Sequence, residues 1–311
     1  MEMLNAAVQV MVFMAVGFVC RKLKWTNAAT VGPISKIVLN VALPCLVITS
    51  MMTPFEMEKL QQGFLSLAMV LILQACFTLT GMVWAKMLKR NDPQCRAVLR
   101  AFFLFNNFML IGVPIIAAVL GSEGVFYTGL MGLPQRVIMF IALPLMYGAG
   151  ADGENHVDFN WKMLFQIPSV SVFVGLFFFI TQIQLPQIVV GCMETLGDMT
   201  LPLGMMLAGM QLGDVDLKGL LKDFTIPVAV LIKNMVSPAI ALAVLSLLRF
   251  PPLLIELGVI FAAVPAPAMM VVYAANYNVR ADYAGAAMFL STLLGSVTLP
   301  LWSQIVTAFV S

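Results

Sequence analysis

Ten runs of twenty or more mostly apolar residues, divided by short polar stretches, leave this chain few ways to fold. They fall at 3–22, 33–53, 63–86, 97–120, 124–148, 161–182, 187–211, 224–248, 254–277 and 283–309. The hydrocarbon core of a bilayer is about 30 Å thick, and a helix of about 20 residues crosses it. Membrane strands would be shorter and would alternate in polarity, whereas these runs are continuously apolar. Composition points the same way: 61% of the 311 residues are hydrophobic and 10% charged, against about 45–50% and about 25% in a soluble domain. So little charge cannot clothe a water-facing surface. The sequence predicts an all-α, multi-pass protein of the cytoplasmic membrane, with the lipid bilayer as its surroundings.

Several function classes drop out early. The basic residues are scattered through short loops, so nucleic acid is not an expected partner. Cys20, Cys45, Cys76, Cys95 and Cys192 form no CxxC pair and read as small packing residues. One histidine, His156, cannot build a zinc site, and no metal or cofactor is expected. Glu2 stands where a signal peptide would carry basic residues, so the first run reads as a retained span.

Cytoplasmic loops are enriched in Lys and Arg. With the N-terminus outside, the inside loops hold Arg21, Lys22, Lys24, Lys86, Lys89, Arg90, Arg96, Arg100, Lys162, Lys218, Lys222 and Arg280. The outside loops hold Lys59 and Arg249, while Lys36, Arg136 and Lys233 fall within spans. This bias supports the count of ten and places both termini outside the cytoplasm.

The chain also repeats itself. Leu39-Asn-Val-Ala-Leu-Pro-Cys-Leu46 corresponds to Gly197-Asp-Met-Thr-Leu-Pro-Leu-Gly204, with Pro44 and Pro202 158 positions apart and Asn40 paired with Asp198. The same offset carries the first span onto the sixth and the third onto the eighth, while the fourth and ninth fit with a shift of several residues. The organisation is a five-helix repeat over 1–150, a cytoplasmic linker over 151–160, and a second five-helix repeat over 161–311. Five is odd, so the second unit enters the membrane from the opposite side and the repeats are inverted, a common transporter architecture.

Both fourth helices carry proline inside the span: Pro114 after Asn106, Asn107 and Gly112, and Pro265 with Pro267. Proline removes a backbone donor and clashes with the carbonyl four residues earlier, so both helices are expected to unwind at these prolines and cross. Half-helix N-termini would then face an anion in mid-membrane. Asn106 and Asn107 lie about 10–12 Å along the axis from Pro114, at about 1.5 Å per residue. Their amides either bind substrate or bond neighbouring helices.

Ionisable residues at membrane depth are functional candidates. Arg136 either attracts an anion or pairs with a carboxylate. Lys233 either snorkels to the inside face or serves the site. Asp198 either carries a coupling ion or caps the break at Pro202. The candidate substrate set is Asn106, Asn107, Gly112, Pro114, Pro265, Pro267 and Arg136, supported by Asn40, Asp198 and Lys233.

These residues resemble a known family. Leu196-Gly-Asp-Met-Thr-Leu-Pro-Leu-Gly-Met-Met-Leu-Ala-Gly-Met-Gln-Leu212 and Ser291-Thr-Leu-Leu-Gly-Ser-Val-Thr-Leu-Pro-Leu-Trp302 are similar to motifs of the auxin efflux carrier family, related to PIN-FORMED carriers and to malate and malonate permeases. Asn107, Gly112 and Pro114 match its N-x-G-x-x-G-x-P pattern, with Met109 in place of the first Gly. Lys233 and Pro238 resemble its eighth-helix spacing. The resemblance implies the fold of bile-acid sodium symporters, with scaffold and transport domains each drawn from both repeats and crossed fourth and ninth helices. It also implies elevator-type motion, a small organic anion as substrate, and a homodimer through the scaffold.

The sequence has no GxxxxGK[ST] motif for ATP, so transport is expected to run downhill or couple to protons or sodium. An intramembrane enzyme would need paired acids, and Asp198 stands alone at depth. A channel or sensor for a small solute is the remaining alternative. The topology predicts that cysteines placed in the 150–158 loop react with an impermeant maleimide only from the cytoplasmic side. Labelling from outside would contradict it.

Overall fold

The computed structural model describes residues 2–88, 92–148, 165–213 and 223–310. The linker over 151–160, with His156, lies outside the described residues, as do Lys89, Arg90, Lys162, Lys218 and Lys222. Every regular element among the described residues is helical. Among the described residues, five segments are long and apolar enough to cross a bilayer: Ala29–Met51, Met57–Leu88, Pro93–Gly148, Thr225–Leu247 and Ala281–Val310. Ile167–Thr181 and Pro252–Ala263 are shorter apolar helices. Phe64, Leu79, Phe173, Ile188 and Leu247 are exposed, which suits side chains that meet lipid. The chain is a multi-pass membrane protein.

In the first half, α1 is Glu2–Lys22, α2 is Ala28–Ile37 and α3 is Leu43–Met51. Asn27 starts α2 in a capping box with Thr30. A π-helical turn, Val38–Ala42, joins α2 to α3 and ends two residues before Pro44. There the Leu43 N–H reaches the Val38 carbonyl, five residues back. The wider turn accommodates a ring that an ideal α-turn would push against the carbonyl four residues earlier.

Next come α4, Met57–Leu88, and α5, Pro93–Leu104, whose first turn is capped by the Asp92 carboxylate accepting from the Cys95 N–H at 2.9 Å. A second π-helical turn, Phe108–Gly112, again ends two residues before a proline, Pro114, and leads into α6, Val113–Gly148. Gly121 interrupts α6 at φ 62° and ψ −157°, a conformation essentially closed to residues with a β-carbon. A straight run over Pro93–Gly148 would be about 84 Å long, far beyond the bilayer core. The breaks after Leu104 and at Gly121 divide it, the second between the expected fourth and fifth spans.

The second half comprises α7, Ile167–Thr181; α8, Gln187–Asp198; α9, Thr200–Gly213; α10, Thr225–Leu247; α11, Pro252–Ala263; α12, Met269–Asn276; and α13, Ala281–Val310. The seventh span is therefore two helices interrupted at Met199, three residues before Pro202.

Two positions differ from the sequence reading. The fourth span unwinds at Phe105–Asn107, not at Pro114, because the π-helical turn absorbs Pro114 while the polar Asn106 and Asn107 release the chain. The fourth and ninth spans also need almost no shift. Pro93–Leu104 and Pro252–Ala263 are both 12 residues long, both open on proline, and both pass into extended backbone at Phe105 and Val264. The expected shift was of several residues, whereas the break itself matches Asn106 to Pro265.

Two compact units make up the chain: Met1–Ala68, Met109–Pro134 and Lys162–Asp214 form one, and Met69–Phe108, Gln135–Trp161 and Val215–Ser311 the other. In the first, α1 and α9 approach backbone to backbone, with Gly17 against Met206 and Gly209 against Met14. Lipid supplies no hydrophobic drive between helices, so small residues that permit such contact hold the pair. Gly204 meets the Leu110 carbonyl, the one that Pro114 leaves without its helical donor. In the second unit, Phe261 of α11 packs on Phe77 and Phe108, with ring centroids 6.3 and 4.7 Å away.

Candidate functional site: two broken helices held by α10

The second unit brings together the ends of α5 and α11. A helix leaves its last four carbonyls without intrahelical donors, and in lipid no water is present to satisfy them. The chain meets this demand with its own side chains. Lys233 of α10 is 1% exposed. Its ammonium donates to the Asn106 Oδ1 at 2.7 Å, to the Phe105 carbonyl at 3.1 Å and, at a longer 3.4 Å, to the Phe103 carbonyl. It also lies 5.4 Å from the centroid of the Phe102 ring. Three N–H donors thus meet three oxygens at the negative end of the α5 dipole. Among the described residues no carboxylate pairs with Lys233. The snorkelling alternative is therefore replaced: the side chain caps a broken helix.

Asn106 bridges the two breaks. Its amide Nδ2 donates to the Phe261 carbonyl at the end of α11, at 2.9 Å. Its own carbonyl accepts from Gln135 Nε2 at 3.1 Å. The Asn107 backbone N–H donates to the Pro265 carbonyl at 2.7 Å, joining the extended strands of the two breaks directly. The Ala266 N–H donates to Ser291 Oγ of α13 at 3.3 Å. Of the two asparagines, Asn106 is buried with both ends of its amide engaged, while Asn107 is half-buried and its amide makes no hydrogen bond among the described residues.

Of the other candidates, Pro265 and Pro267 are buried in the ninth-span break, and Arg136 is buried beside Gln135 in the same unit. Gly112 and Pro114 belong to the other unit, as do Asn40 and Asp198, whose side chains are exposed. Gln135 and Asn234, which were not among the expected candidates, and Ser291, which stood only in a family motif, are also members of the crossing.

A family model for membrane transport proteins matches residues 3–303. The chain belongs to this auxin efflux carrier-like transport family. It is similar to an uncharacterized transporter of Methanothermobacter thermautotrophicus, 25% identical over 311 residues and 97% of each chain. It is also similar to the uncharacterized transporter MJ1031 of Methanocaldococcus jannaschii, 22% identical over 277 residues and 88% of each chain.

Two stretches that resemble this transport family gain a physical role. Pro238 cannot donate to the carbonyl four residues back, which is that of Asn234. The Trp302 indole N–H donates to that carbonyl at 3.0 Å. Met109, where the family pattern has Gly, lays its methyl over Gly132, which has no side chain to oppose it. Trp302→Phe should therefore destabilise the purified transporter by the cost of an unsatisfied buried carbonyl, about 1–3 kcal/mol, and lower its melting temperature. Adding Pro238→Ala, which restores a backbone donor, should recover most of that loss. No recovery in the double variant would contradict the assignment.

Proposed function

We propose that the protein is a secondary carrier that moves a small organic anion, a mono- or dicarboxylate of the malate or malonate kind, across the cytoplasmic membrane by alternating access of elevator type. The observation that carries this reading is the crossing itself. Two helices break in one unit, their backbone ends are held by Lys233, Asn106, Gln135 and Ser291, and Asn107 alone of the two asparagines keeps a free amide. Asn107 is the proposed substrate contact and Asn106 its structural partner. Buried Lys233 places a positive charge at the crossing, which suits an anion.

The matched helices Pro93–Leu104 and Pro252–Ala263 support ten crossings arranged as two inverted repeats. Two compact units, each drawn from both halves of the chain, support a scaffold and a transport domain. In this reading both termini lie outside the cytoplasm, a homodimer forms through the scaffold, and a proton or sodium gradient drives transport.

Uptake into proteoliposomes tests the substrate class. Radiolabelled malonate or malate should accumulate with the wild-type protein. Either acid should also raise the melting temperature of the purified protein, because a ligand that binds the folded state stabilises it by about 2.7 kcal/mol at a hundred times its Kd. Asn107→Ala should remain folded and lose both effects. A variant with full uptake would move the contact elsewhere, and a wild type inert to every carboxylate would remove the anion reading.

A further inference from the structure

We propose that Asn234 and Ser291 are positioning residues that hold the ninth-span break against the fourth-span break, so that the geometry of the substrate site depends on one turn of α10. This rests on the reading of the crossing as the substrate site. Consecutive residues of a helix point about 100° apart, and α10 uses that divergence. Lys233 reaches the fourth-span break through Asn106 and the Phe105 carbonyl. Asn234, the next residue, reaches the ninth-span break through Ser291. Its Nδ2 donates to the Ser291 carbonyl at 3.0 Å, and the Ser291 hydroxyl donates to its Oδ1 at 3.2 Å. The same hydroxyl accepts from the Ala266 N–H at 3.3 Å, beside the Pro265 carbonyl that takes the Asn107 N–H.

The bonding is determined at each step. The Ala266 amide can only donate, so Ser291 Oγ must accept there, and its single proton is left for Asn234 Oδ1. That fixes the amide orientation of Asn234 and directs Nδ2 to the Ser291 carbonyl. Asn234 and Ser291 are both fully buried, so water cannot substitute for either partner. The path from α10 through Ser291 to Ala266, Pro265 and Asn107 closes on itself through Asn106 and Lys233. A site built on extended backbone, with no helical ladder of its own, is rigid only if such a closed circuit holds it.

The test compares Ser291→Val with Ser291→Thr, which differ by the hydroxyl and little in shape. Two readouts are taken on the intact protein in proteoliposomes: amide hydrogen exchange across 262–268 and 105–108, and the kinetics of malonate uptake. Ser291→Thr should retain protection in both segments and a near wild-type KM. Ser291→Val should stay folded, exchange both segments at least tenfold faster, and raise KM about tenfold with a smaller change in Vmax. Faster exchange at 105–108 matters most, because Ser291 bonds Asn234 and Ala266 and reaches that segment only through them. If Ser291→Val cannot be purified folded, Ser291→Ala takes its place.

Wild-type exchange at 105–108 in the variant lacking the hydroxyl would overturn the proposal, as would equal impairment by valine and threonine, which would make Ser291 a matter of packing. If the wild type does not move malonate, the substrate class fails, and the exchange comparison alone decides the positioning role.

Discussion

A single ammonium group holds the most demanding part of this fold. Interrupting a helix inside a membrane exposes carbonyls that have no water to bond, and each unmet group costs several kcal/mol in hydrocarbon. Lys233 answers this at the end of α5 with three donors, placed where the helix dipole already favours positive charge. A buried charge is itself expensive, and the arrangement is stable because each group supplies what the other lacks. Helix end and lysine are each costly alone and satisfied together.

From that contact the rest of the crossing follows. Asn106 is fixed by Lys233 on one side and presents its Nδ2 to the end of α11 on the other. The two extended segments then lie close enough for the Asn107 N–H to meet the Pro265 carbonyl. What remains unclaimed is the Asn107 side chain. Because the surrounding backbone is already bonded, a ligand meeting this amide would find a frame that needs little reorganisation, which is how preorganised sites gain affinity. The two π-helical turns before Pro44 and Pro114 serve a related end: they let proline sit within a long helical path without a full break.

Much of this was legible in the sequence, and the illegible parts share a cause. Length and apolarity pointed to membrane-crossing helices, of which five are long and apolar enough among the described residues, because crossing a bilayer imposes both. The recurrence of Asn40–Pro44 at Asp198–Pro202 pointed to a repeated unit. Pro114, by contrast, suggested the wrong place for the fourth-span break, since proline marks where a helix is stressed but not whether a π-helical turn will relieve it. Lys233 looked able to reach the membrane surface because its oxygen partners, Phe103, Phe105 and Asn106, lie about 130 residues away in sequence and carry no charge. Trp302 and Pro238 could have been paired in advance: a proline names the carbonyl it orphans, and an indole N–H must donate when buried. Gly121 falls in the expected gap between the runs 97–120 and 124–148, and its backbone angles, with no packing contact, are what require glycine there.

The most direct test is a double-mutant cycle on thermal stability between Lys233→Met and Asn106→Leu. If the ammonium and the amide satisfy each other, each single substitution strands the remaining partner in a dry interior, while the double variant strands fewer groups than the two singles combined. The account predicts that the double variant loses at least about 1 kcal/mol less than the sum of the single losses, within the range measured for residues in direct contact. Losses that add to within about 0.3 kcal/mol would show that Lys233 and Asn106 act independently, and the crossing would need another explanation for how its broken ends are held.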